Sequence, residues 1–138
     1  MLRRAADVRM ERKPGRAKGT GEFECRYLVE EGENEHGLQF LHDDTLDPGA
    51  SFGTHRHIDS EEIYLILEGA GVAWVDDERW AVGPGDVVTL HQGQSHGIEA
   101  SPDGKLRFLA IGIGGPKRRY EVLGASGVAA EPSGHQGR

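Results

Sequence analysis

Turn signals divide this chain into short, even pieces. Asp47-Pro48-Gly49, Asp59-Ser60, Gly69-Ala70-Gly71, Asp76-Asp77, Gly83-Pro84-Gly85 and Ser101-Pro102-Asp103-Gly104 punctuate it. Each turns the backbone for a physical reason: Pro presets φ, Gly accepts positive φ, and Asp or Ser side chains bond the nearby main chain. Between the turns lie short runs rich in β-branched and aromatic residues. They are Phe23 to Leu28, Gly37 to His42, Ser51 to His57, Glu62 to Glu68, Val72 to Asp76, Glu78 to Val82, Asp86 to Leu90, His96 to Ala100 and Lys105 to Ile113. Short strands at this spacing form a sandwich or a barrel. No stretch of ten or more residues carries a 3.6-residue apolar period, so long helices are not expected.

The chain has 138 residues, enough for one domain and too few for two comfortable ones. It divides into a basic N-terminal arm (1–20), a strand-rich body (21–113) and a Gly-, Pro- and Ala-rich C-terminal tail (114–138) expected to be flexible, in which Tyr120 to Leu123 can dock. Formal charge is −7 overall, but residues 1–20 carry +5, which leaves −12 on the remainder. An acidic body argues against nucleic-acid binding. The arm is read as a solvated terminus or as a strand lying on its own acidic body, with an acidic partner or RNA as the alternative. Cys25 is the single cysteine, so no internal disulfide forms, which fits a reducing cytoplasm. The thiol is read as a small buried hydrophobe. No apolar run approaches a membrane span.

The chemistry-bearing residues cluster in two motifs. The first is Gly49, five residues, His55-Arg56-His57, four residues, Glu62, six residues, Gly69; the second is Gly85, five residues, His91-Gln92-Gly93, two residues, His96. A lone His-x-His pair is expected by chance about 0.35 times in such a chain, and the fixed offsets of Gly49, Glu62 and Gly69 reduce this to roughly one in a thousand. Residues two apart on a strand face the same way, so His55 and His57 can both point inward. The turn at Asp59-Ser60 brings Glu62 back beside them, and His96 must arrive from a later strand. Three imidazoles and a carboxylate can then meet at one metal ion. Three inward histidines without a metal would leave costly polar groups in a core.

In these residues the chain resembles the cupin superfamily. The first cupin motif is met in full by Gly49, His55, His57, Glu62 and Gly69. The second is met by Gly85, Gly93 and His96, and missed at His91, where Pro is usual, and at Ala100, where Asn is usual. The resemblance covers roughly residues 37–113. It implies an all-β jelly-roll barrel (a double-stranded β-helix), usually a homodimer, with His55, His57, Glu62 and His96 as metal ligands.

Such a donor set suits Fe, Mn, Ni, Cu, Co or Zn. About two positions on an octahedral ion stay open for a bidentate substrate, water or dioxygen. Gln39, Gln94 and Ser95 are candidates to hold the ligand rings by their outer nitrogens. By strand parity Tyr64 and Ile66 share the inward face with Glu62, and Ile98 shares it with His96. Tyr64 is the candidate catalytic residue, as proton donor or substrate orienter; the alternative is a core aromatic with its hydroxyl at the barrel mouth. His91 is read as exposed, and Phe52, Trp74 and Trp80 as packing residues. The function expected is a metalloenzyme acting on a small molecule, an oxidoreductase, isomerase or lyase. The alternative is a non-catalytic cupin that binds or senses a sugar or carboxylate.

Overall fold

Alternation decides which way each strand faces. In β5 (Ser60–Glu68), Ser60, Glu62, Tyr64 and Ile66 are buried while Glu61 and Glu68 are exposed, the period-2 pattern of a strand with one face on a core. The computed structural model describes residues 1–115, 119–123 and 129–135. The remaining strands are β1 (Arg9–Pro14), β2 (Glu22–Val29), β3 (Leu38–Leu46), β4 (Ser51–His57), β6 (Gly71–Val75), β7 (Glu78–Val82), β8 (Val87–Leu90), β9 (Ser95–Ala100), β10 (Leu106–Gly114), β11 (Arg119–Leu123) and β12 (Ala129–His135). A 3-10 turn at Ala5–Asp7 is the one helical piece among the described residues.

The strands form two six-stranded antiparallel sheets, ordered β1-β2-β3-β10-β5-β8 and β12-β11-β4-β9-β6-β7. From β3 to β11 every successive pair but β6–β7 crosses between the sheets, so the two sheets enclose one interior. This is the expected jelly roll. Its floor is aromatic and aliphatic: Phe23 packs edge-on against Phe52 at 4.8 Å, and Phe52 against Phe108 at 5.9 Å, with Leu46, Ile66, Ile98 and Leu106 also buried. Gly69, which ends the first motif, has φ +88°, and a Cβ there would lie 1.9 Å from the Lys105 carbonyl oxygen. Only glycine fits where this turn crosses the strand entering β10.

Three features differ from the expectations. β3 runs on through Asp43, Asp44 and Thr45 to Leu46; polar residues hid it, yet Asp43 and Asp44 are buried. Trp80 is not a packing residue: it lies on edge strand β7 with 42% of its surface exposed. The arm takes the second of its two expected forms, a strand on its own acidic body, and the tail adds β12 beyond the docked run Tyr120 to Leu123. β1 pairs with β2 in register Arg9↔Tyr27 to Pro14↔Glu22, and β11 pairs with β4. The arm's cations meet acids of the body: Arg3 bonds Glu33 at 2.6 Å, Arg9 bonds Glu30 and Arg12 bonds Asp47. No described helix is long and apolar enough to cross a membrane.

Candidate metal centre

Strict alternation cannot aim both Phe52 and His55 inward, because they are three residues apart. A β-bulge resolves this. Phe52 opposes Ile98 and His55 opposes His96, so three steps on β4 match two on β9. The extra residue re-aims the strand, and Phe52, His55 and His57 are all buried. The bulge amide of Gly53 donates to the Arg16 carbonyl at 2.8 Å, so the N-terminal segment supplies a partner that β9 does not.

The four motif residues come together. The ligating atoms of His55, His57, Glu62 and His96 lie within 4.8 Å of one another, and all four residues are buried. Ring centroids are 4.1 Å apart for His55–His96, 5.0 Å for His57–His96 and 5.1 Å for His55–His57. Glu62 reaches across from the other sheet. Its Oε2 is in close contact with His57 Nε2 and lies 3.7 Å from His96 Nε2. With metal–nitrogen bonds of about 2.1 Å, ligand atoms on one ion stand about 3–4 Å apart, so the cluster needs only small movements to close on an ion.

The tautomer is set for the same purpose. His55 Nδ1 donates to the Gly53 carbonyl at 2.7 Å, which leaves Nε2 with a lone pair facing the cluster. A carboxylate only 1% exposed at Glu62 is tolerated inside a protein when paired or when it ligates a cation. Donor type, convergence and tautomer fit a divalent ion, and the sequence identified all four residues.

The outer supports fall elsewhere than expected. Gln39 Nε2 donates to the Gly115 carbonyl at 2.8 Å. Gln94 Oε1 accepts from the His91 amide at 2.9 Å, and Ser95 bonds Asp76 through both its amide and its hydroxyl. The Gly53 carbonyl supports His55 instead, a main-chain group with no sequence signature. His91 is exposed and pairs with Glu61 at 2.8 Å. Tyr64 is fully buried, 4.9 Å from Phe108 and 6.1 Å from His96 by ring centroids. Ile66 and Ile98 are buried on the expected faces. Tyr120, not singled out as a site residue, opposes His57 across the β11–β4 pairing and lies 5.4 Å from the His55 ring. The alternating run Tyr120 to Leu123 was its only signal.

Comparison with known proteins agrees with this geometry. The family model described as the Cupin domain matches residues 43–112. A protein of Thermotoga maritima named "Oxalate-binding protein" is 32% identical over 111 residues, spanning 80% of this chain and 92% of its own. A crystal structure of a predicted oxalate decarboxylase from Thermotoga maritima superposes with a TM-score of 0.77 at 32% identity, covering 83% of this chain and 99% of that one. The polyketide cyclase RemF from Streptomyces resistomycificus superposes with a TM-score of 0.67 at 27% identity, covering 86% and 82%.

Proposed function

The chain belongs to the cupin family, and from that premise we propose that His55, His57, Glu62 and His96 hold one divalent transition metal that in turn binds a small chelating carboxylic acid. The observation that carries this reading is the convergence of four buried donor atoms within 4.8 Å. The names printed for the Thermotoga protein and for the Thermotoga structure favour oxalate or an acid of similar reach. Fe, Mn, Ni, Cu, Co and Zn all suit three imidazoles and a carboxylate. A bound ion would supply Lewis acidity toward a carboxylate or carbonyl oxygen.

The chain's own residues do the rest. Glu62 offsets part of the ion's charge and leaves room for an anionic ligand. The Gly53 carbonyl fixes the His55 ring. Ile66, Ile98 and Phe108 exclude water and strengthen every polar contact inside. Tyr64 shares the face of Glu62, and its phenol is the group we assign to orient the acid or to donate a proton. The protein is then a metalloenzyme of the lyase, isomerase or oxidoreductase type. A homodimer and a cytoplasmic setting complete this reading. A second reading, favoured by the name "Oxalate-binding protein", is a protein that binds the acid without turning it over.

Metal analysis of the purified protein comes first, then calorimetric titration with oxalate before and after chelation. Binding that needs the metal supports the proposal, and metal-independent binding or none overturns the choice of acid. Assays for carbon dioxide release and oxygen uptake then separate the readings. Turnover that is lost in Tyr64→Phe while oxalate binding survives supports the enzyme. Binding without turnover supports the second reading.

A further inference from the structure

A second group of ligating side chains lies inside the barrel. Cys25, His42 and Asp44 are all buried, with their donor atoms within 4.8 Å of one another. Cross-strand pairing builds the group: Cys25 on β2 directly opposes Asp44 on β3, and His42 is the preceding inward residue of β3, opposite Tyr27. The His42 ring is held between Tyr27 at 4.9 Å and Phe40 at 4.5 Å. Strand β10 separates this group from the first. Phe108 and Ala110 of β10 oppose Asp44 and His42 on one side, and Ala110 opposes Tyr64 on the other. The two clusters are therefore distinct.

We propose that Cys25, His42 and Asp44 form a second metal site, one that takes a borderline-to-soft divalent ion such as Zn(II) or Co(II). The donor set decides the class of ion. A thiolate and an imidazole select zinc, copper or cobalt over magnesium and calcium, which require oxygen ligands. Thiolate and carboxylate together cancel the ion's two positive charges, which suits a dry interior. The ring contacts fix the His42 plane, and two facing strands fix the spacing of Cys25 and Asp44. Such preorganisation lowers the cost of binding. Burial and then the Asp44 carboxylate push the Cys25 thiol up to about 12 against the pull of Arg16, whose Nη2 lies 3.6 Å from Sγ, so the thiolate forms as the ion binds. Binding exchanges the thiol proton, released to solvent, for a metal–sulfur bond. The alternative is a self-contained hydrogen-bonded trio that binds no ion.

Cys25 is the only cysteine, so sulfur spectroscopy reports on this site alone. The full chain, stripped of metal under reducing conditions, is titrated with Co(II). The expected result is two equivalents bound, one of them bringing a near-ultraviolet thiolate-to-cobalt charge-transfer band. Cys25→Ser should abolish the band and halve the stoichiometry. His57→Ala should keep the band and lose the other equivalent. A saturated, folded wild-type protein without the band overturns the proposal, and this outcome needs no variant to fold. Two equivalents retained by Cys25→Ser overturn it as well. Loss of the first equivalent alone counts against the function proposed above and leaves this site standing.

Discussion

His55 donates its Nδ1 proton to the carbonyl of Gly53 at 2.7 Å, two residues back along the same strand. The bulge that turns His55 inward thus also supplies the group that orients it. Gly53 has no room to vary, since a Cβ there would lie 2.2 Å from the Ala17 carbonyl oxygen. Gly53→Ala must shift the bulge or residues 15–19, and either movement turns the His55 ring. Metal affinity is expected to fall about 10–100-fold, the usual effect of losing a group that orients a ligand. Competition with a chelator of known affinity measures it. Unchanged affinity would show that the ring is held by something else.

Metal removal should loosen the protein as a whole. Three imidazoles and Glu62 crowd one buried point, and an ion that binds only the folded state stabilises it by mass action. At a hundredfold excess over the dissociation constant this is about 2.7 kcal/mol, or roughly 10 °C in Tm for a domain of this size. Scanning calorimetry with and without chelator should show that drop. His57→Ala should be insensitive to the chelator if the second site carries no metal under the same conditions, and should retain part of the shift if it does.

The sequence exposed the site more completely than the fold around it, and the reasons are local. Glu62, Tyr64 and Ile66 stand two apart between clear turns, so parity alone put them on one face. The His55–His57 pair follows the same rule, whereas the bulge breaks it, and its one signal is Gly53 itself, an isolated glycine inside a strand run. In the sequence β3 reads as ending at His42, because Asp43, Asp44 and Thr45 carry no apolar alternation. Their cause is tertiary: Asp43 answers Arg107 and Arg26 on the outer face, while Asp44 faces Cys25 inside. For β1 the charge asymmetry leaves two readings, a solvated arm or a strand on the acidic body, and the pairing of Arg9 with Glu30 and Arg12 with Asp47 decides for the strand.

The Asp43–Arg107 pair should be a measurable support of the first sheet. Arg107 donates Nε to Oδ1 at 2.9 Å and Nη2 to Oδ2 at 2.8 Å, a bidentate grip on a carboxylate only 4% exposed. These bonds, with Glu68 beyond them, hold the guanidinium above its ordinary range. Asp43→Asn removes the charge and one acceptor while keeping the shape. Loss of about 1.5–3 kcal/mol is expected, the range for hydrogen bonds to charged groups. The denaturant midpoint should fall at unchanged slope, and a change below 0.5 kcal/mol would place this pair among the weak surface contacts.

Acid should release the N-terminus before it unfolds the barrel. Glu33 is held below the usual carboxylate range, first by its hydrogen bond from Arg3 and then by the Glu30 amide. A carboxyl whose folded value is depressed contributes stability above its unfolded value and loses it as pH falls through the folded one. The tie is therefore intact at neutral pH and is lost as pH falls below the ordinary carboxylate range and through the lower folded value, where Glu33 takes up a proton. Arg3 also donates to the Leu28 carbonyl at 2.7 Å, so the release is expected to be graded. Hydrogen exchange at the amides of residues 5–10 should accelerate as pH drops from 6 to 3, after correction for intrinsic rates. Glu33→Gln should show the faster exchange already at pH 6. Equal protection in both proteins across that range would mean that β1 pairing with β2, and not this ion pair, secures the segment.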